Sequence, residues 1–277
     1  MINAKTEQFI AEFVLKFAAF VTIAILGFII FFIAARGLPE MGFSFLFENP
    51  CDMGRSGGIF PTIAGTFYLA LLSIIVAMPL GVGTAIYLTE YTSENLATRV
   101  IRFGSDCLSA IPSIIFGLFG FVLFVIKLNL GWCILSGALT MAFMILPTII
   151  RTAEEAIKSV PAELREASYS LGATKWQTVT SIVLPEAIPG IITGLVLSLG
   201  RVIGETAVVI FTAGSALAMP GSIFDSSRTM AVHFYIIARE GISTPKAFAT
   251  ALVIVACILF INVVTYFLMH RYLGKKH

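Results

Sequence analysis

Two charges stand alone in a long apolar run. Between positions 187 and 213 only Arg201 and Glu205 are ionisable. Four residues apart, they lie one turn from each other on a single face of a continuous helix, and Gly190, Gly194 and Ser198 share that face at about 100° per residue. Charges turned toward lipid are costly, whereas small residues let a second helix approach closely. The stripe must therefore face protein or a water-filled cavity. An arginine there can recognise an oxyanion bidentately through its planar donors, and a nearby carboxylate would temper the charge so that a bound anion can leave. The competing reading is a salt bridge that only holds two helices in register. Counted from Ala187, Arg201 lies about 21 Å along a helix crossing a core of about 30 Å, which places it in the outer half.

The second group is the polar stretch REASYSLGATKWQTVTSIVLP, 165–185, set between apolar runs. Pro161 suits the first position of a helix over 161–171, Gly172 suits a left-handed residue that ends it, and Thr174 suits the cap of the next. Leu164, Ala167 and Leu171 form a narrow apolar stripe flanked by Glu163, Arg165 and Glu166, a shape that fits a groove on a partner. The plainer alternative is a solvated helical connector.

No residue pattern supports catalysis. There is no phosphate-cradling G-x-x-x-x-G-K-[ST] loop, no G-x-S-x-G elbow and no paired-carboxylate arrangement. Any nucleotide hydrolysis must belong to another chain, and no cofactor is expected. Cys51, Cys107, Cys133 and Cys257 are scattered, as are His233, His270 and His277, so neither a disulfide framework nor a metal site is predicted. A net charge of +2 gives no footprint for nucleic acid.

The elements that must position these groups are membrane helices. With 58% hydrophobic residues and 24 Phe the chain cannot present a water-facing globular surface. Five uncharged runs of about 20 residues or more, 17–35, 58–89, 107–126, 128–150 and 247–269, predict spans, and 187–213 supplies a sixth. Six spans place both termini on one side. Assigned to the cytoplasm, that side holds eleven Lys and Arg against six outside, including Lys5, Lys16, Lys275 and Lys276. Residues 1–16 read as a retained leader into the first span. The expected location is the cytoplasmic (inner) cell membrane, crossed several times. The expected division is 1–57, an amino-terminal span with the first outer loop, and 58–277, a transmembrane domain with a cytoplasmic loop at 151–185.

Smaller features carry local expectations. Arg151 reads as snorkelling to the headgroups at the inner end of its span, or as a contact on an exit path. Ser109, Ser113 and Gly117 read as a packing face. Pro79 with Gly81 and Gly83 predicts a bend or break in the second span. In the outer segment 214–247, a helix over about 227–239 should fold back on the bundle or lie at the interface. With the first outer loop, 36–57, it is the surface large enough to receive an external binding protein.

The polar loop resembles the signature of the permease subunits of bacterial and archaeal ABC importers, an E-A-A motif followed by a glycine and an I-x-L-P ending. Here these are Glu166, Ala167 and Ser168, then Gly172, then Ile182, Leu184 and Pro185, with Ser168 in place of the second alanine. AIPSIIFGLFGFVLF (110–124), LPTIIRTAEEAIKSVPAELREASYSLGATKWQT (146–178) and GRVIGETA (200–207) extend the likeness across 58–269 to the PstA-type permeases of phosphate importers, although no proline follows the G-E-T-A element as it does there. The resemblance implies an all-α protein of six transmembrane helices with the type I ABC importer permease fold. It implies that Glu166, Ala167, Ser168, Leu171 and Gly172 couple to a separate ATPase, and that Arg201 belongs to the substrate pathway, beside Glu205. The implied partners are a PstC-type permease, a PstB-type ATPase dimer and a PstS-type phosphate-binding protein. A permease for molybdate, tungstate or sulfate is the neighbouring alternative, and a secondary transporter the more distant one, for which no internal repeat is found in the sequence.

Overall fold

A computed structural model describes residues 4–273; 1–3 and 274–277, with Lys275, Lys276 and His277, lie outside the described residues. The described chain is almost entirely helical. Helix α1 (Ala4–Gly37) runs uninterrupted until Gly37 and Pro39 end it, with nearly every described side chain exposed. It leans on the last helix, α12 (Thr244–Leu273), near its carboxyl end. There a Cβ on Gly37 would stand 2.7 Å from the Phe248 carbonyl oxygen, and the Phe32 ring meets Phe248 edge-on at 5.6 Å.

After the short helix α2 (Phe43–Phe47) in the first outer loop, the centre is built from α3 (Phe60–Ile86), α6 (Ile134–Lys158) and α9 (Leu184–Gly204). Leu69, Met141, Ile145 and Ile149 are buried between them. Apolar side chains gain little by leaving lipid for one another, so contact in the membrane rests on close backbone approach. Small residues provide it: Gly81 abuts Ile149, Gly190 abuts Ala156 and Gly194 abuts Thr152. Pro79 does not break α3, which continues as one helix into a wide π turn at Tyr87–Tyr91.

Three expected spans differ from the structure. The run 107–126 is not one helix: α4 (Leu96–Ala110) and α5 (Ser113–Gly120, extended by a π segment to Lys127) meet at 102°. Pro112 excludes the residue before it from helical dihedrals, and Ile111 is extended at φ −72°, ψ 129°. Ser109 and Ser113 consequently fall on opposite sides of the break and share no packing face, while Gly117 alone packs tightly, against Ala207, Val208 and Phe211. The run 128–150 becomes a helix that starts at Ile134 and extends to Lys158. The run 187–213 breaks after Gly204 and resumes as α10 (Ala207–Thr212). Among the described residues five helices are long and apolar enough to cross a membrane, and the bent α4–α5 pair, counted as one span, makes six.

The outer segment does fold back on the bundle. Helix α11 (Met230–Arg239) is capped by Thr229 and buries Met230, Val232, His233 and Ile237; its first N–H donates to Thr66 Oγ1 at 2.9 Å. Before it, Ser227 N–H and Arg228 N–H donate to the Ala213 and Ala216 carbonyls. Arg228 is itself buried, its Nε donating to the Ser215 carbonyl at 2.9 Å. The His233 ring lies against Gly54 in the first outer loop, and burial lowers its pKa to about 4, so it is neutral at physiological pH.

The α6–α9 contact makes a direct prediction. Gly194→Val should press on Thr152 and destabilise the purified chain by about 1–3 kcal/mol, whereas Gly83→Ala, with open space around it, should leave the thermal midpoint unchanged. Thermal unfolding of both variants in detergent, followed by size-exclusion recovery, measures the difference.

Candidate pathway and coupling sites

Helix α9 sets its small-residue face against α6, holding Gly190 and Gly194 there and burying Ser198, whose hydroxyl donates to the Gly194 carbonyl at 2.9 Å. Arg201 follows on that face but beyond the tight contact, and its side chain is exposed. The residues after it, Val202 and Ile203, are buried and fix the helix end. Among the described residues the Arg201 side chain makes no hydrogen bond or ion pair.

The ion pair of Arg201 with Glu205, the competing reading of the sequence, does not form. Glu205 leaves the helix in an extended conformation, φ −78° and ψ 132°, so the two charges are not one turn apart on one face. Its Oε1 instead accepts the backbone N–H groups of Thr206, Ala207 and Val208 at 3.2, 3.0 and 3.4 Å. A helix that restarts inside a membrane protein begins with orphan donors, and a carboxylate beside them satisfies several at once. Continuous-helix spacing could not reveal this, because it assumes the hydrogen bonding that the break removes.

At the inner end a charge cluster joins α4 to α6. Glu154 is nearly buried and lies 2.8 Å from Arg102 and 2.6 Å from Lys158; Arg102 also pairs with Glu94, whose carboxyl it holds below the usual range. Arg151 is exposed and faces Glu155 at 3.5 Å and Asp106 at 3.8 Å. Arg102, Arg151, Lys158, Asp106, Glu154 and Glu155 line a cavity of about 290 Å³. Three cations face three carboxylates, so the cavity carries no excess positive charge to attract an anion, and Arg151 works as an ion-pair partner.

The polar loop takes the expected local form. Helix α7 (Ala162–Ser170) ends at Gly172 with φ +83°, and α8 (Lys175–Thr178) begins at Thr174, whose side chain and that of Gln177 cap each other's backbone reciprocally. Glu166, Ala167 and Leu171 are exposed, Leu171 by 90%, and Trp176 stands out on the next helix. Ser168 differs from the other residues of this set. It is buried, with its hydroxyl 2.9 Å from that of Thr178, and ties the two loop helices together. Arg165, read from the sequence only as a flanking charge, turns inward: its Nη2 and Nε donate to Glu90 Oε1 at 2.8 and 3.1 Å. Glu90 lies 75 positions away, and no local pattern marks it as a partner.

Comparison with known proteins agrees with this architecture. Residues 77–275 match the family described as binding-protein-dependent transport system inner membrane component. A probable ABC transporter permease protein, YqgI, of Bacillus subtilis is 35% identical, covering 99% of this chain and 97% of its own. The phosphate transport system permease protein PstA 1 of Mycobacterium tuberculosis is 35% identical, covering 75% and 69%. The crystal structure of a bacterial ABC transporter involved in import of the acidic polysaccharide alginate superposes with a TM-score of 0.65, covering 96% of each chain at 17% identity, so the chain has the type I importer permease fold.

The capping role of Glu205 is open to a stability test. Glu205→Ala should cost about 1 kcal/mol and Glu205→Gln, which keeps an acceptor oxygen, less. Because Arg201 and Glu205 do not pair, Arg201→Gln and Glu205→Gln should add in a double-mutant cycle of thermal unfolding, to within about 0.5 kcal/mol.

Proposed function

The chain belongs to the family of binding-protein-dependent transport system inner membrane components, and from that membership we propose that it is the PstA-type permease subunit of an ATP-driven phosphate importer. The observation that carries the reading is Arg201: a guanidinium near the end of a membrane helix, exposed on this chain, with no bonding partner among the described residues. Lipid does not tolerate such a group, so it faces water or a second permease chain. A pathway formed between two permeases would present it to a passing anion with its donors free. Similarity to a named phosphate permease of Mycobacterium tuberculosis supports phosphate as that anion, and the bidentate fork suits it chemically. Glu205 acts beside the pathway by holding the helix break in shape, and anion release does not depend on it as a counter-charge.

In this reading the chain is not an enzyme. Hydrolysis is performed by a PstB-type ATPase dimer docked on Glu166, Ala167, Leu171 and Gly172, with Ser168 holding the loop from within. A PstC-type permease completes the membrane core, and a PstS-type phosphate-binding protein delivers substrate to the outer surface formed by 36–57 and 214–247. The exposed Leu171 and Trp176 side chains support a protein partner for the loop, since water alone gives them no favourable surroundings.

Two experiments test these assignments. Phosphate uptake by the complex reconstituted in vesicles should fall about tenfold or more for Arg201→Gln, the range expected when a charged hydrogen bond is lost. Arg201→Lys should be partly active, and adding Glu205→Gln should not restore uptake; restoration would identify a structural ion pair and remove the pathway role. Gly172→Val strains a left-handed turn and should lower both ATPase co-purification and substrate-stimulated hydrolysis while the membrane core still assembles. Wild-type values for both would exclude the loop from coupling.

A further inference from the structure

Helix α7 has few attachments. Glu163, Leu164, Glu166, Ala167, Tyr169 and Ser170 are all exposed, and Ser168 ties it to Thr178, in the helix that continues into α9. Among the described residues its polar link to the membrane helices α3 and α6 is Arg165. All five N–H donors of that guanidinium have acceptors nearby. Nε and Nη2 reach Glu90 Oε1, Nη2 also reaches the Ile157 carbonyl at 2.9 Å, and Nη1 reaches the Val160 and Pro161 carbonyls at 2.7 and 3.4 Å. Glu90 belongs to the π turn that ends α3, a widened turn of a kind that often marks functional positions. Ile157 lies in the last turn of α6, where carbonyls lack helical partners, and Val160 and Pro161 follow it. One side chain therefore joins α7 to the inner ends of both helices. The pair is shielded, with only 7% of the Glu90 side chain and 19% of the Arg165 side chain exposed.

Resting on the coupling role assigned above to the loop, we propose that the Arg165–Glu90 pair is the strut that transmits displacement of α7 to α3 and α6. Those two helices are in close contact where Gly81 meets Ile149. A push on α7 through Arg165 thus bears on both. The bond between Ser168 and Thr178 is a second route, into the continuous helix of the α8–α9 segment, and it does not reach α3 directly. Arg165 is a positioning residue: it touches neither phosphate nor nucleotide.

The test uses the whole complex reconstituted in vesicles, with phosphate uptake and ATP hydrolysis measured on the same preparation. Glu90→Gln and Arg165→Gln should retain the ATPase in the purified complex and keep its hydrolysis within about threefold, while phosphate moved per ATP falls about tenfold, inside the roughly 5–150-fold span of typical site-to-site coupling. Arg165→Lys, which keeps the charge opposite Glu90 but loses the fork, should give an intermediate ratio. An unchanged ratio in both glutamine variants would overturn the proposal. So would loss of the ATPase from both, which would reduce the pair to holding the loop's shape. Failure of the wild-type chain to retain any ATPase would instead overturn the coupling reading on which the strut depends.

Discussion

A backbone N–H or C=O left without a partner in hydrocarbon costs several kcal/mol, and among the described residues apolar helices are interrupted at Ile111–Pro112 and after Gly204. How the interruptions are repaired governs the rest of the structure. At Glu205 and Thr206 a carboxylate gathers the first donors of α10. At Ile111 and Pro112 the proline removes one donor outright, and Ile111 N–H returns to the Leu108 carbonyl at 3.2 Å. The two restarted helices, α5 and α10, then pack on each other through Gly117. Irregular backbone is thus kept against protein and away from lipid.

The same solvent explains the prevalence of small residues at helix contacts. In water Leu and Phe would drive association; in lipid they do not, and the described surface accordingly carries exposed Phe along α1, α3 and α12. Association depends instead on places where a Cβ would collide. Gly81, Gly120, Gly137, Gly190 and Gly194 all meet a side chain of a neighbouring helix. These contacts surround α6, which makes it the helix against which α3, α5 and α9 are held.

The charges divide by the same criterion. Arg102, Arg151 and Arg165 each face a carboxylate near the inner ends of the helices. These satisfy their charge within the chain and stiffen contacts between elements. Arg201 differs in being exposed and unbonded among the described residues, so its stabilisation depends on what lies across from it. A residue whose partner is not in its own chain is suited to meeting a passing anion.

The sequence by itself determined the membrane class, the approximate spans and the helix, glycine turn and helix of the polar loop. Each follows from interactions within about twenty neighbouring residues: hydrocarbon thickness fixes span length, and the capping of Thr174 with Gln177 is complete within four positions. Arg201 was visible as anomalous for the same reason, a charge in an apolar run. Only the tertiary structure decided that Glu205 caps a helix and does not pair with Arg201, that Ser168 faces inward, and that Arg165 meets Glu90 across 75 positions. A helical wheel presumes an unbroken hydrogen-bond ladder and gives the face a side chain occupies, not the partner it meets. Where the ladder stops, or where a side chain reaches another helix, the partner is set by packing among distant segments.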